Sequence, residues 1–308
     1  MNDRKVKVAY ITDDIYLEHD TGSAHPESKE RLIAINNAVE SLRDKLILKS
    51  PLWVSKEILG TVHSSTHIEN IIESSEYSTP IDSDTLCSTY SYRAATKAVG
   101  AGIVALDGIK AGEFERAFCT IRPPGHHATP TQAMGFCLFN NIAISARYAQ
   151  SIGYKKVMIV DFDVHHGNGT QDTFWKDNTV FYFSSHQAFA YPGTGAEAHK
   201  GEGSGEGYTA NFLMMPESTD AELLDIYKND LPPLVEGFNP DIILVSAGYD
   251  LHESDPLASL NITTQGIRRM VREVLDTKEV PFVFFLEGGY DVDALGKNVR
   301  VTLEEMLS

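Results

Sequence analysis

Two short stretches carry side chains that bind metals. Asp161-Phe-Asp163-Val-His165-His166-Gly-Asn168-Gly directly follows the apolar run Val-Met-Ile-Val. In an extended segment, residues two apart point to the same side. Asp161, Asp163 and His165 can therefore share one side, and carboxylate oxygen with imidazole nitrogen is a ligand set that Zn²⁺ accepts. A solvated acidic turn is the plainer alternative, disfavoured by the apolar run before it. Asp250 ends Ser246-Ala-Gly-Tyr-Asp, after Ile-Ile-Leu-Val, and is a candidate third ligand. Taken alone it is as readily a helix cap or loop carboxylate. An Asp-His-Asp set leaves an open position for water, as catalytic zinc requires. Fe²⁺ accepts the same donors.

Two more stretches supply acid–base and hydrogen-bonding groups. Arg122-Pro-Pro-Gly-His126-His127-Ala ends an apolar run at two prolines, turns at Gly125 and presents adjacent imidazoles. Such a pair is by itself more often packed or solvated than catalytic. Glu287-Gly-Gly-Tyr290 follows Phe-Val-Phe-Phe-Leu. Gly288 and Gly289 let a ligand approach the backbone, and Tyr290 could donate to a developing oxyanion. Together the four stretches contain the parts of an amide hydrolase: metal and water, a histidine to move the proton, and a phenol for the tetrahedral oxygen.

These groups need a frame, and the chain supplies strand patterns alternating with helical ones. Strands are expected at Val6–Thr12, Arg116–Ile121, Val157–Asp161, Val180–Ser184, Ile242–Ser246 and Phe282–Leu286. Helices are expected at Arg31–Leu48, Ala94–Lys110, Leu138–Ser151, Ala221–Leu231 (stopped by Pro232-Pro233), Thr264–Leu275 and Val292–Leu307. That alternation predicts an α/β fold with a central, mostly parallel sheet and helices on both faces. No linker or repeat divides residues 1–308, so one domain is expected. Ser74–Ser91 and the glycine-rich stretch Gln187–Gly207 read as functional or mobile loops.

The 308 residues are 42% hydrophobic and 22% charged, with a formal net charge of −17. That balance argues against disorder, against duplex binding and against anionic membranes. It favours solubility and cationic partners. Cys87, Cys119 and Cys137 are too few for a disulfide framework, so a reducing compartment is expected. Met-Asn-Asp-Arg-Lys carries no signal-type apolar region, and the longest apolar run cannot span a bilayer. The expected setting is cytoplasmic, with no membrane and no direct nucleic-acid contact. There is no Walker sequence, no H-E-x-x-H and no G-x-S-x-G, and Gly201-x-Gly-x-Gly-x-Gly follows no expected strand.

With these residues in place, the sequence resembles the zinc-dependent histone deacetylase and acetylpolyamine amidohydrolase superfamily. The resemblance runs in order through His25-Pro-Glu-Ser, Arg122-Pro-Pro-Gly-His-His-Ala, Gly135-Phe-Cys-Leu-Phe-Asn-Asn, Asp161-Phe-Asp-Val-His-His-Gly-Asn-Gly-Thr-Gln, Tyr191-Pro-Gly-Thr-Gly, Gly248-Tyr-Asp and Glu287-Gly-Gly-Tyr. It implies an arginase/deacetylase-like domain with Zn²⁺ held by Asp163, His165 and Asp250. It implies His127 as general base and acid, His126 as its electrostatic partner, Asp161 orienting His126, and Asn168 orienting His127. Asparagine at 168 resembles class II members. Tyr290 matches the oxyanion tyrosine, which poor deacetylases of the family lack. A structural K⁺ site resembles Asp161, Asp163, His165 and Ser184, partly through carbonyls, and a second monovalent site resembles the Phe174 and Tyr208 carbonyls. Phe136 and Tyr191, with Gly135 and Gly288, fall on tunnel positions that would hold an acyl-lysine stem. Asp84 falls near the rim aspartate.

Two departures bear on substrate. Leu257 stands where polyamine-specific relatives carry a gatekeeping glutamate, and the loop Ser74–Ser91 is short where dimeric polyamine deacetylases carry an insertion. Both favour acyl-lysine on a protein or peptide, and leave acetylated polyamines as the second reading. A non-catalytic acyl-lysine reader is a third, disfavoured by intact His127 and Tyr290. Acyl length, target and oligomeric state are not legible in the residues.

Overall fold

The computed structural model describes residues 6–308; Met1–Lys5, from which the missing signal region was read, lie outside the described residues. In chain order the strands and helices are β1 Val8–Ile11, α1 Lys29–Val39, β2 Ile47–Lys49, α2 Lys56–Leu59, α3 Ser65–Tyr77, α4 Ser91–Lys110, β3 Arg116–Cys119, α5 Asn141–Ser151 and β4 Val157–Asp161. They continue as α6 Asn168–Phe174, β5 Val180–Gln187, β6 Thr209–Met214, α7 Asp220–Asp225, α8 Leu231–Phe238, β7 Ile242–Ala247, α9 Thr264–Asp276, β8 Phe282–Leu286 and α10 Val292–Met306.

The strands form one eight-stranded sheet in the order β2-β1-β3-β8-β7-β4-β5-β6, parallel throughout. Every residue of β1, β4, β7 and β8 is buried, which is why these strands read as unbroken apolar runs rather than alternating ones. Parallel strands need crossover helices, and these cover the sheet in two mutually packed groups: α4 with α5, and α1 with α10, α9 and α7. β3, β8, β7 and β4 are adjacent at the centre, so the four chemistry-bearing segments leave the sheet side by side. Ligands of open α/β sheets bind at these carboxyl ends. No helix among the described residues is long and apolar enough to cross a membrane.

Three expectations are corrected. The helix expected over Arg31–Leu48 ends at Val39; a 3₁₀ segment follows over Glu40–Lys45, and Ile47–Lys49 form β2. Leu48 points outward at the sheet edge, and Ile47 pairs with Ala9, so pairing with β1 overrides the helical spacing. Pro232-Pro233 do not stop a helix. A π turn over Ile226–Asp230 carries the chain into α8, whose first turn accepts prolines because its N–H groups lack partners anyway. The sheet also gains β6, unmarked in the sequence because its strand pattern follows directly on the glycine-rich loop. Part of the expected loop Ser74–Ser91 is instead the last turn of α3, ended by Ser78 in the left-handed conformation.

Candidate functional site

The turn after β4 places Asp163 and His165 side by side. Asp250 reaches the same point from the turn after β7. His165 Nδ1 lies 3.3 Å from Asp163 Oδ1 and 3.0 Å from Asp250 Oδ2. One donor atom from each residue lies within 4.8 Å of the others. Both carboxylates are buried. The backbone leaves room for them: a Cβ on Gly288 would sit 2.1 Å from Asp250 Oδ2, and one on Gly248 would sit 2.0 Å from Asp163 Oδ2. Gly288 N–H donates to Asp163 Oδ2 at 2.8 Å, and Val164 N–H to Asp250 Oδ1 at 3.0 Å.

The electrostatics of this cluster call for a cation. Burial, and then the neighbouring Asp163 charge, push the Asp250 carboxyl up to about 7. Burial would depress His165, but the two carboxylates outweigh it and hold the imidazole at about 11. His126 adds a second imidazole at the edge of the cluster, its Nε2 3.8 Å from Asp163 Oδ1. The donor set of two carboxylates and one imidazole fits a divalent metal, with Asp163, His165 and Asp250 holding it.

The two histidines after β3 occupy opposite electrostatic states although their ring centroids are 4.0 Å apart. His126 donates through Nδ1 to Asp161 Oδ2 at 3.1 Å. Burial opposes its charge, but Asp163, Asp161 and Glu287 outweigh burial and raise it to about 10. His127 is driven well below the usual histidine range by burial, then by the charges of His126 and His165. Its Nδ1 donates to Asn168 Oδ1 at 2.9 Å, leaving Nε2 as the free lone pair. His127 is thus a neutral imidazole with a defined tautomer, 6.2 Å ring to ring from His165.

Tyr290 joins from the turn after β8. Its N–H donates to Asp255 Oδ2 at 2.6 Å, and its ring meets Phe136 edge-on with centroids 5.8 Å apart. Burial holds its phenol well above 10, so it is a hydrogen-bond donor and not a phenolate. Phe136 and Gly135 both have positive φ, 68° and 55°. At 135 that geometry and space require glycine, since a Cβ would lie 2.5 Å from His127 Cδ2. Tyr191 lies edge-on to His127, centroids 5.1 Å apart, and remains partly exposed. Asp84 sits close by, its carbonyl 3.0 Å from His25 Nε2; burial first, and then the charge of Asp84, raise the Tyr191 phenol. Leu257 is exposed next to this turn, its N–H on Asp255 Oδ1.

Asp161 and Ser184 are register partners on β4 and β5, and Asp161 Oδ2 also accepts from Tyr182 Oη at 3.1 Å. The Phe174 and Tyr208 carbonyls each accept a backbone N–H, from Asp177 and Tyr182. His166 turns away from His165 to Thr194 and Gln171.

The sequence reading gave no role to Glu287, Glu27, Arg31 and Arg122. Glu287 is buried, accepts Gly125 N–H at 2.7 Å and His126 N–H at 3.1 Å, and so fixes the turn that carries both histidines. Arg122 donates to Glu27 at 2.5 and 2.8 Å. Arg31 donates to Glu27 and to the carbonyls of Gly289 and Glu287, with its guanidinium 5.0 Å from the Tyr290 ring centre. Glu27 and Glu287 lie inside quoted motifs. Only their burial beside charged partners, which one sequence does not show, marks them as organisers.

The Histone deacetylase domain model matches residues 25–306. Histone deacetylase 14, chloroplastic, of Arabidopsis thaliana is 38% identical over 92% of this chain and 73% of its own length. A probable deacetylase of Archaeoglobus fulgidus is 36% identical, over 90% of this chain and 80% of its own. The crystal structure of the HDA15 HD domain superposes with a TM-score of 0.95 at 34% identity, covering 98% of this chain and 88% of that one. The fold is therefore that of the arginase/deacetylase class. The chain belongs to the histone deacetylase family, whose members are hydrolytic deacetylases and generally zinc-dependent.

Proposed function

We propose that this chain is a zinc-dependent amidohydrolase that removes acetyl or a related short acyl group from lysine side chains of proteins or peptides. The observation that carries the chemistry is the neutral His127, its Nδ1 committed to Asn168, beside a charged His126 and the Asp163/His165/Asp250 donor set. When bound, a divalent metal supplies Lewis acidity toward an amide carbonyl and toward water.

The chain's own groups do the rest. His127 Nε2 takes a proton from water as the water oxygen bonds to the acyl carbon. His126 remains an imidazolium, held by Asp161, and its charge favours the anionic tetrahedral state. Tyr290 donates a hydrogen bond to the former carbonyl oxygen. The carbon–nitrogen bond then breaks, and His127 returns its proton to the departing amine. Phe136 and Tyr191 wall the path of the lysine stem, Gly135 and Gly288 give it clearance, and Asp84 accepts from the substrate backbone at the rim.

Leu257 supports lysine over polyamine, since an exposed isobutyl group at the rim offers a second ammonium no carboxylate. A K⁺ beside Asp161, Asp163, His165 and Ser184 is part of the same proposal, supported by the buried Asp161 carboxylate beside Ser184. A second monovalent ion at the Phe174 and Tyr208 carbonyls would use the remaining lone pair of each. A reducing, cytoplasmic setting is supported by three buried free cysteines.

Turnover of an acetyl-lysine peptide, acetylputrescine and acetylspermidine at matched concentrations, with a chelator control, tests the reading. Chelator-sensitive turnover favouring the peptide is expected. A preference for the polyamines would transfer the assignment to acetylpolyamine amidohydrolysis.

A further inference from the structure

Phe189 is the most exposed large apolar side chain of the described residues, 89% accessible. Its φ is +63°. A bulky residue in that region is strained relative to a conformation with negative φ. Glycine would adopt the same backbone freely. The chain therefore carries a phenyl group where neither packing nor backbone geometry asks for one. Such strain persists where surrounding contacts fix the backbone, and it clusters at ligand clamps.

The surrounding contacts are clear. Gln187 N–H donates to the Val164 carbonyl and Ala188 N–H to the Met214 carbonyl, each at 2.8 Å, and Gly193 N–H donates to the Ala190 carbonyl at 2.9 Å. Gln187 Oε1 accepts Ser259 N–H at 2.7 Å. These bonds tie Gln187 and Ala188 to Val164, to the end of β6 and to Ser259, and close a turn over Ala190–Gly193. Each of the three segments exposes an apolar side chain: Phe189, Met215 and Leu257. Two residues beyond Phe189, Tyr191 packs on His127. The strained phenyl thus stands just outside the ring that borders the reacting centre, beyond the reach of the acyl group itself.

We propose that Phe189, with Leu257 and Met215, is a docking face for an apolar side chain flanking the acylated lysine, so that the substrate is a peptide segment with an apolar residue next to that lysine. The inference rests on the lysine-deacylase reading above and names the substrate class for it. The segment holding Asp82 and Asp84 lies against Phe136: the Asp84 carbonyl is 3.0 Å from His25 Nε2, the His25 ring meets Phe136 edge-on at 4.7 Å, and Thr85 Oγ1 accepts the Phe136 N–H at 3.3 Å. An apolar side and an acidic side complement a segment that carries both apolar and basic residues. A polyamine has no side chain to place on Phe189.

The test compares wild type with Phe189→Gly on three substrates: an acetyl-lysine peptide with leucine beside the lysine, the same peptide with serine there, and acetylspermidine. Because glycine relieves the backbone strain, the variant should fold at least as well, which thermal unfolding checks. Wild type should favour the leucine peptide, and the variant should lose about five- to tenfold of that preference through KM with kcat held, as expected for one lost apolar contact. Equal losses on both peptides, or no change in their ratio, would overturn the docking face. A loss confined to acetylspermidine would overturn it too, assigning the phenyl to an ammonium instead. If wild type turns over acetylspermidine and neither peptide, the lysine reading itself fails, a result distinct from an unchanged peptide ratio.

Discussion

Two buried clusters of charge lie near each other in this molecule and are built on opposite principles. In the Glu27–Arg31–Arg122 cluster, one carboxylate meets two guanidinium groups, and Arg31 and Arg122 spend further N–H groups on the carbonyls of Gly289, Glu287, Tyr16 and His19. Burial would push Glu27 up, yet Arg122 outweighs it and holds the carboxyl at about 2. In the Asp163–His165–Asp250 cluster, two carboxylates meet one imidazole, and Asp250 is pushed up to about 7. The first cluster is closed by covalent cations and is structural. The second brings two carboxylate oxygens and an imidazole nitrogen within 4.8 Å of one another, a donor set that fits a metal ion. A protein can bury ionised groups either by completing the set itself or by leaving a place for an ion, and this fold does both beside the turn after β8.

Breaking the open cluster should have the largest effect. Asp250→Ala is expected to reduce turnover to background and to abolish stoichiometric metal binding, while the fold persists in circular dichroism. Retained turnover would remove Asp250 from the donor set. Breaking the closed cluster should act on folding instead. Glu27→Ala leaves buried guanidinium groups unpaired and should cost about 3–5 kcal/mol in denaturant unfolding. The closed cluster also predicts a pH dependence. Glu27 has a folded value of about 2 against 4.5 when free. Its stabilisation is therefore full above pH 4.5 and is lost as pH falls from there toward 2. Glu27→Gln should flatten that part of the stability curve, and an unchanged slope would contradict the pairing.

Between the clusters sits Tyr290, whose turn Arg31 fixes and whose ring lies between the Arg31 guanidinium and Phe136. Tyr290→Phe should raise the barrier by about 2–4 kcal/mol, read in kcat/KM, with metal content unchanged. An unchanged rate would leave the tyrosine a packing residue. The smallest effect is expected from Asn168→Asp. A carboxylate on Nδ1 raises the basicity of His127, so the acid limb of the pH–rate profile should move to higher pH. A shift to lower pH would mean that His127 is not the group titrating there.

The four segments with chemistry were legible in sequence because each combines a run of apolar residues with an abrupt cluster of polar ones. Val157–Asp161 and Phe282–Leu286 form strands over the residues the pattern marks. What was not legible depends on distant partners. Leu42 and Leu46 fit the helical stripe of Leu32, Ile35 and Val39, and only pairing with β1 makes Ile47–Lys49 a strand. Arg31 meets Gly289 across a separation of 258 residues, and Arg122 meets Glu27 across 95. Nothing local distinguishes these from solvated charges. Glu287 lay within a quoted motif, but its role depends on two N–H groups delivered from the turn after β3. Phe189 carried no signal, because exposure and a positive φ are properties of the folded backbone.

The central claim is that the Asp163–His165–Asp250 cluster is incomplete without a divalent cation. Metal-stripped protein titrated with Zn²⁺, with turnover of an acetyl-lysine peptide followed at each addition, tests it most directly. Activity should rise linearly from background and level off at one equivalent per chain. Full activity before any metal is added, or a plateau unrelated to one equivalent, would contradict it.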